Sequence, residues 1–495
     1  MPYQPKIGME IHIQPKTKSK MFCRCPNRFD QTKPNQNICE ICVGHPGTLP
    51  AINQQAVKAI IKAGLALNCQ INRRVHWDRK HYFYPDLPKG YQLTQNNTPL
   101  CYQGFLMIEY LDYNQKPQTK KVLINRLHLE EDAGKDLHPE NSDYSLIDFN
   151  RAGAPLIELV TEPVLQDQEQ AAAFCQNLQQ IFRYLKISDA DMEKGQMRCE
   201  VNISLSNNQK SGVKVEVKNI NSFRGVKKSI EYEIKRQTGL LEQGKKIKQE
   251  TRGWDAEKQI TISQRSKEQA QDYRYFPEPD LPPINITDGL LAKIKNSIVE
   301  LPTDKIKRFT KNFGLNQETA KIITQDLTCA NFFENTISEI KSWVKTDDRI
   351  DSQQTPKVIK LTANYLTTEL IRLTQKTLVG FDQIKITPEN FAELMIIVYK
   401  KQINSSAAQT VLKNMFQTGG DPSQIIKQKN LAIQKDSKEL GSVVSKVIQE
   451  NPQAANDLKA GKQKSLQFLI GQVMAKTQGK ADPKTAINII QKLVK

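Results

Sequence analysis

The chain is 495 residues long, with 38% hydrophobic and 25% charged side chains; at about 150 residues per domain this is material for roughly three folded domains, and it excludes a disordered or fibrous protein. Lys and Arg number 71 against 53 Asp and Glu, a formal charge of +18, an excess that points to a polyanionic partner, nucleic acid first among them. No apolar run reaches the roughly 18 residues needed to span a bilayer, and Glu10 and His12 interrupt the N-terminus before a leader could form, so a cytoplasmic protein with no membrane partner is expected.

Ile7 to Ile13 alternates strictly, with Ile7, Met9, Ile11 and Ile13 on one face and Gly8, Glu10 and His12 on the other, which predicts a strand. Glu10 and His12 then stand about 6.5 to 7 Å apart along one face, close enough to share a cation. Next come Cys23-x-Cys25 and, thirteen residues on, Cys39-x-x-Cys42, with Pro26, Asn27, Pro34 and Asn35 able to turn the chain back between the pairs. Four soft ligands in two close pairs suit tetrahedral Zn²⁺ at Zn–S distances of about 2.3 Å, in a closed and therefore structural site. The bland alternative is four unrelated thiols. All nine cysteines should be reduced in the cytosol, and an odd number rules out a full set of disulfides.

Ala51 to Asn68 and Asp167 to Lys186 carry helical spacing. The segments Arg79-Lys80-His81-Tyr82-Phe83-Tyr84-Pro85 through Lys89-Gly90-Tyr91, and Asp272-Tyr273-Arg274-Tyr275-Phe276-Pro277, interleave aromatics with cations; such segments either stack bases while the cations meet phosphate or cover a core edge. Glu130-Glu131-Asp132 is an acidic cluster. Leu156 to Val160 is a near-continuous apolar run expected of a strand buried on both faces, so Glu158 inside it must be paired, metal-bound or protonated. Glu200 to Leu205 and Val213 to Lys218 alternate around Asn207–Gly212 as a hairpin. Pairing 205 with 213 puts Glu200, Asn202, Ser204, Lys214, Glu216 and Lys218 on one face, where carboxylates repel unless a metal or lysine intervenes. The prolines between Pro277 and Pro283 should end this first domain at about residue 290.

From 291 the strand signals stop. A helical domain is expected over 291–430, with a hinge from Gly419-Gly420-Asp421-Pro422 to about Ser437, and then a small mobile tail domain over 431–495. Three short helices are read in the tail: one on Leu440, Val443, Val444 and Val447, one on Phe468, Leu469 and Met474, and one with Asp482 at the N-cap and Pro483 at N1 ahead of Ile489, Ile490 and Leu493. Residues 401–495 hold 15 Lys and no Arg against six acids, half of the whole surplus, and this asymmetry marks the tail as the anion-binding end. The fold class is α+β: a β-rich domain with a zinc-binding insertion, an all-α domain and the helical tail.

Several acids with one His suit Mg²⁺, which takes oxygen ligands and leaves positions for phosphate and water; for each acid taken alone, a solvated strand face is the alternative. The sequence has no G-x-x-x-x-G-K-[ST], no G-x-G-x-x-G and no G-x-S-x-G, so P-loop, Rossmann and serine-hydrolase sites are excluded.

The strings Ile7-Gly8-Met9-Glu10-Ile11-His12, YFYPDLPKGYQ from Tyr82, RLHLEEDAGK from Arg126, RAGAPLIELVTEP from Arg151, VEVKNINSF from Val215 and DYRYFPEPDLPP from Asp272 resemble the B subunit of the aspartyl/glutamyl-tRNA(Asn/Gln) amidotransferases, over essentially the whole chain. The resemblance implies a β-rich cradle domain and helical domains that hold tRNA. It also implies a protein that binds a mischarged aminoacyl-tRNA and phosphorylates its side-chain carboxylate with ATP and Mg²⁺. A partner amidase subunit would supply ammonia from glutamine through an internal channel, and a small linking subunit would fasten the two. Carried over by position, Glu10, His12, Glu131, Glu158, Glu200 and Glu216 are the implied acidic metal site, with Glu10, Glu131 and Glu216 also toward ATP. Alternation alone prefers Glu130, which shares a face with His128, over Glu131. The competing readings are a non-catalytic tRNA-binding zinc protein and a free-standing glutaminase using a lone cysteine; the latter lacks any Cys-His-acid string.

Overall fold

The structure, a computed structural model, describes residues 3–494 apart from 30–32, 140–141, 207–211, 267–271, 347–351, 434–436, 478–480 and 482. It is α+β and divides into two compact units, Met1–Leu301 and Pro302–Lys495.

A nine-stranded sheet organises the first unit. Its strands run, edge to edge, Ile260–Ser266, Glu250–Asp255, Val215–Ile220, Met197–Ser206, Gln4–Ile13, Pro155–Thr161, Pro117–Glu131, Cys101–Leu111 and Gln70–Ile71. Every pairing is antiparallel except Val215–Ile220 with Glu250–Asp255. The strand predicted around Ile7 lies at the centre, and Ile7, Met9, Ile11 and Ile13 are all fully buried, in one apolar cluster with Ile60 and Ile61 of the helix Gln54–Ala66 and Phe174 and Leu178 of the helix Gln168–Tyr184. Both helices start where a side chain caps them. Asn53 accepts from the backbone N–H groups of Gln55 and Ala56, and Asp167 from that of Gln170. The first helix is thus shorter than the predicted Ala51–Asn68. The hairpin pairs Ile203 with Val215 and Asn202 with Glu216, the register that a 205–213 pairing implies; residues 207–211 of its loop lie outside the described residues.

One boundary differs from expectation. The proline run does not end the first unit: Phe276–Pro277 pairs with Asp78–Arg79, and Ile284–Asn285 with Arg74–Val75. Pro277 is tolerated because its strand is an edge, where no ladder N–H is required of it. The helix Asp288–Asn296 then buries Ile294 in the first core, so the unit extends to Leu301 rather than to about 290.

The second unit holds two separate apolar clusters. One runs from Phe309 to Ile426 and the other from Leu440 to Val494. Much of the expected hinge belongs to the first of these: Asp421 caps the helix Pro422–Gln428, Ile425 and Ile426 are buried, and Ile433 N–H donates to the Gln402 carbonyl. Among the described residues the tail has four helices, not three, at Ser437–Glu450, Pro452–Lys459, Gln463–Lys476 and Pro483–Val494. Leu440, Val444, Val447, Leu469, Val473 and Ile490 fill its core, while Phe468, read as a core position, is 49% exposed: it precedes Leu469 by one residue, and Val473, one turn on from Leu469, takes the inward place. Asp482, the expected cap, lies outside the described residues.

Candidate active site

Alternation puts the polar side chains of the central strands on the face opposite the Ile7–Ile13 core. Across that face the register aligns His128, Glu158, His12 and Arg198 in one row over four strands, with Glu10 beside Glu200. His12 Nε2 lies 3.3 Å from Glu158, 3.8 Å from Glu10 and 3.8 Å from Glu130. His128 Nε2 lies 3.4 Å from Glu158 and 3.6 Å from Glu130. On the other side of Glu10, Lys218 Nζ stands 2.9 Å from Glu200 and 3.4 Å from Glu216, the lysine that facing carboxylates on a hairpin need.

This face concentrates negative charge. Burial, then the Glu158 and Glu200 carboxylates, push Glu10 up to about 7. Burial pulls His12 down, but the hydrogen bond and charge of Glu158, with Glu130 and Glu200 behind, raise it to about 9. His128 is raised likewise to about 9, by Glu158 and Glu130 against burial. Lys218 is held above its ordinary range by Glu200 and Glu216 in spite of burial, and Lys80 by Glu130, Tyr275 and Glu158.

Among the described residues three overlapping ligand sets result on this face: Glu10, His12 and Glu158; His128, Glu130 and Glu158; Glu10, Glu200 and Glu216. Within each, the ligand atoms lie within 4.8 Å of one another. A hard divalent cation with bonds of about 2.1 Å fits such a set after small shifts of carboxylate rotamers. Among the described residues the buried Nδ1 atoms of His12 and His128 have no hydrogen-bond partner, and both imidazoles make their carboxylate contacts through Nε2.

Five of the six acids and imidazoles named from sequence therefore converge: Glu10, His12, Glu158, Glu200 and Glu216. Glu131 does not. Alternation sends it to the other side of the strand, where it is paired by Lys89 and accepts from Leu93 N–H at 2.9 Å. Glu130 takes its place, also accepting from Thr94 Oγ1 at 3.2 Å, as its shared alternation with His128 implies. Glu131 and Lys89 line, with Cys23, Cys42 and Gly153, a cavity of about 190 Å³. Sequence reasoning missed Lys80 and Arg198 as neighbours of the acids. Arg198 takes Asp132 at 3.0 Å, which removes that acid from the cluster.

The two aromatic–basic segments meet in one small sheet, where Asp78–His81 pairs with both Phe276–Pro277 and Tyr91–Thr94. His81 stacks on Phe276 with centroids 4.9 Å apart, and Arg79 lies 4.4 Å over Tyr91 while donating to Glu278 at 2.6 and 2.8 Å. Much of their aromatic surface is thus spent on one another. Phe83 and Tyr84 face solvent.

The four cysteines of the two close pairs converge, their sulfurs within 4.8 Å of one another; tetrahedral zinc–thiolate bonds require sulfurs about 3.8 Å apart. Cys42 is drawn down to about 5, led by the hydrogen bond from Cys23 and helped by the Cys39 backbone and Lys20 against burial. The other five cysteines are buried, with Cys175 and Cys199 sharing a hydrogen bond.

Residues 5–292 match the family model described as the GatB/GatE catalytic domain, and residues 352–494 the one described as the GatB domain. The acidic face thus lies within the match to that catalytic domain, and the helices from 352 onward lie within the second match. The B subunit of the aspartyl/glutamyl-tRNA(Asn/Gln) amidotransferase of Thermotoga maritima is 42% identical over 500 residues, covering 100% of this chain and 99% of its own. Those of Thermoanaerobacter pseudethanolicus and Caldicellulosiruptor saccharolyticus are each 43% identical, with 99% of both chains covered. The chain belongs to this family of amidotransferase B subunits.

Proposed function

We propose that the chain is the carboxylate-activating subunit of a glutamine-dependent carbon–nitrogen ligase, acting in the cytoplasm on Glu-tRNA(Gln), Asp-tRNA(Asn) or both. A side-chain carboxylate is a poor electrophile because its oxygen is a poor leaving group. Attack of a carboxylate oxygen on the γ-phosphorus of ATP, with departure of ADP, turns it into an acyl phosphate. Ammonia, released from glutamine by a partner amidase subunit and led through an internal channel, then attacks the acyl carbon; phosphate leaves and the amide forms. A small linking subunit fastens the two larger ones.

The observation that carries this reading is His12, set against carboxylates from three strands, Glu10, Glu158 and Glu130. A stability role does not ask for such a collection of buried acids, since burying like charges together is costly. Glu10, His12, His128, Glu130 and Glu158 would hold Mg²⁺, with Glu10, Glu200 and Glu216 as a second set. When bound, Mg²⁺ supplies the charge screening that lets an anionic carboxylate approach a triphosphate. Lys80 and Lys218, cations beside the same acids, orient phosphate oxygens. Cys23, Cys25, Cys39 and Cys42 hold a structural Zn²⁺ as an insertion in the cradle domain, and the basic tail contacts tRNA phosphates. A non-catalytic tRNA-binding zinc protein would need the tail and the thiols but not the acidic face.

The reconstituted complex, assayed with ATP and glutamine on both mischarged tRNAs, tests this. Amide formation on at least one, lost with Glu158→Gln, is expected. Amide formation on neither, or full turnover with Glu158→Gln, overturns it.

A further inference from the structure

Lys20 has no accessible surface at all, and it is the largest fully buried charged side chain among the described residues. Burial of an ammonium requires a compensating anion, yet among the described residues no carboxylate stands within ion-pair distance of it. Its Nζ has two partners: the carbonyl oxygen of Asn37 at 2.8 Å and Cys42 Sγ at 3.7 Å. The anion available to it is therefore the thiolate of a cysteine in the quartet.

The surroundings fix this placement. Lys20 N–H donates to the Cys25 carbonyl, and its own carbonyl accepts from Asn53 Nδ2, so its backbone is pinned between the first thiol pair and a helix cap. Asn37, which presents the carbonyl, is tied by its side chain to Pro26 and Arg28 and by its backbone N–H to Asn150. Gly153, at φ +81°, lets the chain pass directly behind the pair; a Cβ there would stand 3.2 Å from Cys42 Cβ and 3.7 Å from Lys20 Cδ. Cys42 Sγ also accepts from Cys39 N–H at 3.1 Å. Cys42 is thus the sulfur with both a charged and a neutral donor.

We propose that Lys20 is the built-in counter-cation of the thiolate quartet, a positioning residue that donates to Cys42 and compensates the charge of the metal centre. This rests on the zinc reading above. Four thiolates around a divalent cation leave an excess of two negative charges in a largely buried place, and Lys20 cancels one of them. Its N–H group also withdraws charge from the Cys42 sulfur, which keeps that thiolate bound and lowers its reactivity toward electrophiles. Partners of this kind around a metal ligand are worth about 10–100-fold in metal affinity.

The test uses full-length protein loaded with Zn²⁺ or Co²⁺. Lys20→Met should weaken Zn²⁺ binding about 10–100-fold in chelator competition, and should move the sulfur-to-cobalt charge-transfer bands to lower energy, a shift that a merely structural side chain would not cause. Lys20→Gln keeps a donor without the charge and serves if Lys20→Met does not fold; its affinity should fall between the two. Wild-type affinity and an unshifted cobalt spectrum in these variants overturn the role of Lys20 while leaving zinc in place. Wild-type protein that takes up neither metal in thiolate coordination overturns the zinc reading itself, and the role of Lys20 with it.

Discussion

The acidic face of the first unit and the basic tail of the second treat charge in opposite ways. On the sheet, five glutamates and two histidines from five strands are drawn together, mostly buried and set in ion contacts with one another and with Lys218. In the tail, lysines such as Lys446, Lys459, Lys464 and Lys492 stand on exposed helix faces with the apolar residues turned inward. Charge packed against its own repulsion is specific, because each member is positioned by strand register and one loss disorders the set. Charge spread over a solvated surface is additive and tolerant. The first arrangement suits a cation and a reacting phosphate; the second suits a polyanion gripped by its backbone.

The sharpest way to break this contrast is to remove single members of each set. Glu10→Gln and Glu216→Gln should each lower tRNA-dependent ATP hydrolysis by about 100-fold or more, while glutamine hydrolysis by the partner amidase persists; wild-type ATP turnover in both would show that the face is not cooperative. Cys39→Ser should reduce bound zinc from about one per chain and lower the melting temperature of the first unit by roughly 5–10 °C, without changing the KM for aminoacyl-tRNA below the transition. Metal analysis and calorimetry of freshly purified, reduced protein decide it, and an equal melting point at equal zinc would return the thiols to the bland reading. The mildest effect is expected from the tail. Deleting 437–495 should raise the KM for aminoacyl-tRNA several-fold and lower the salt slope of binding by about 0.7 to 0.9 for each phosphate no longer engaged, leaving turnover at saturating tRNA largely intact. An unchanged slope would assign the lysines to solubility alone.

The same contrast explains what could be read from sequence. Period-2 alternation announced the Gln4–Ile13 strand and the side that carries Glu10 and His12, because a strand's faces are set by neighbours in the chain, while Pro155–Thr161 was announced by its near-continuous apolar run. The choice between Glu130 and Glu131 was legible by the same rule, whereas family resemblance favoured Glu131, which the pleat turns away from the other acids. Lys20 gave no signal, and Lys80 and Lys89 stood out only as cations of the aromatic segment, since each reaches its partner across a distance in sequence that no local pattern records. The aromatic segments at 79–91 and 272–277 could be flagged but not joined, as only strand pairing brings them together. In the tail, the helix Pro452–Lys459 was missed because it is short and buries none of its residues, so it leaves no apolar stripe to read.

Direct titration of Mn²⁺, followed by electron paramagnetic resonance in the presence of a non-hydrolysable ATP analogue, tests most directly whether one face of the central sheet is a metal site. The wild type should bind Mn²⁺ saturably. Glu158→Gln and Glu130→Gln should weaken that binding about 10-fold or more, and Glu131→Gln should leave it unchanged, since its partner is Lys89 on the other side of the strand. Binding that is lost with Glu131→Gln and kept with Glu130→Gln, or that none of the three alters, would contradict the account.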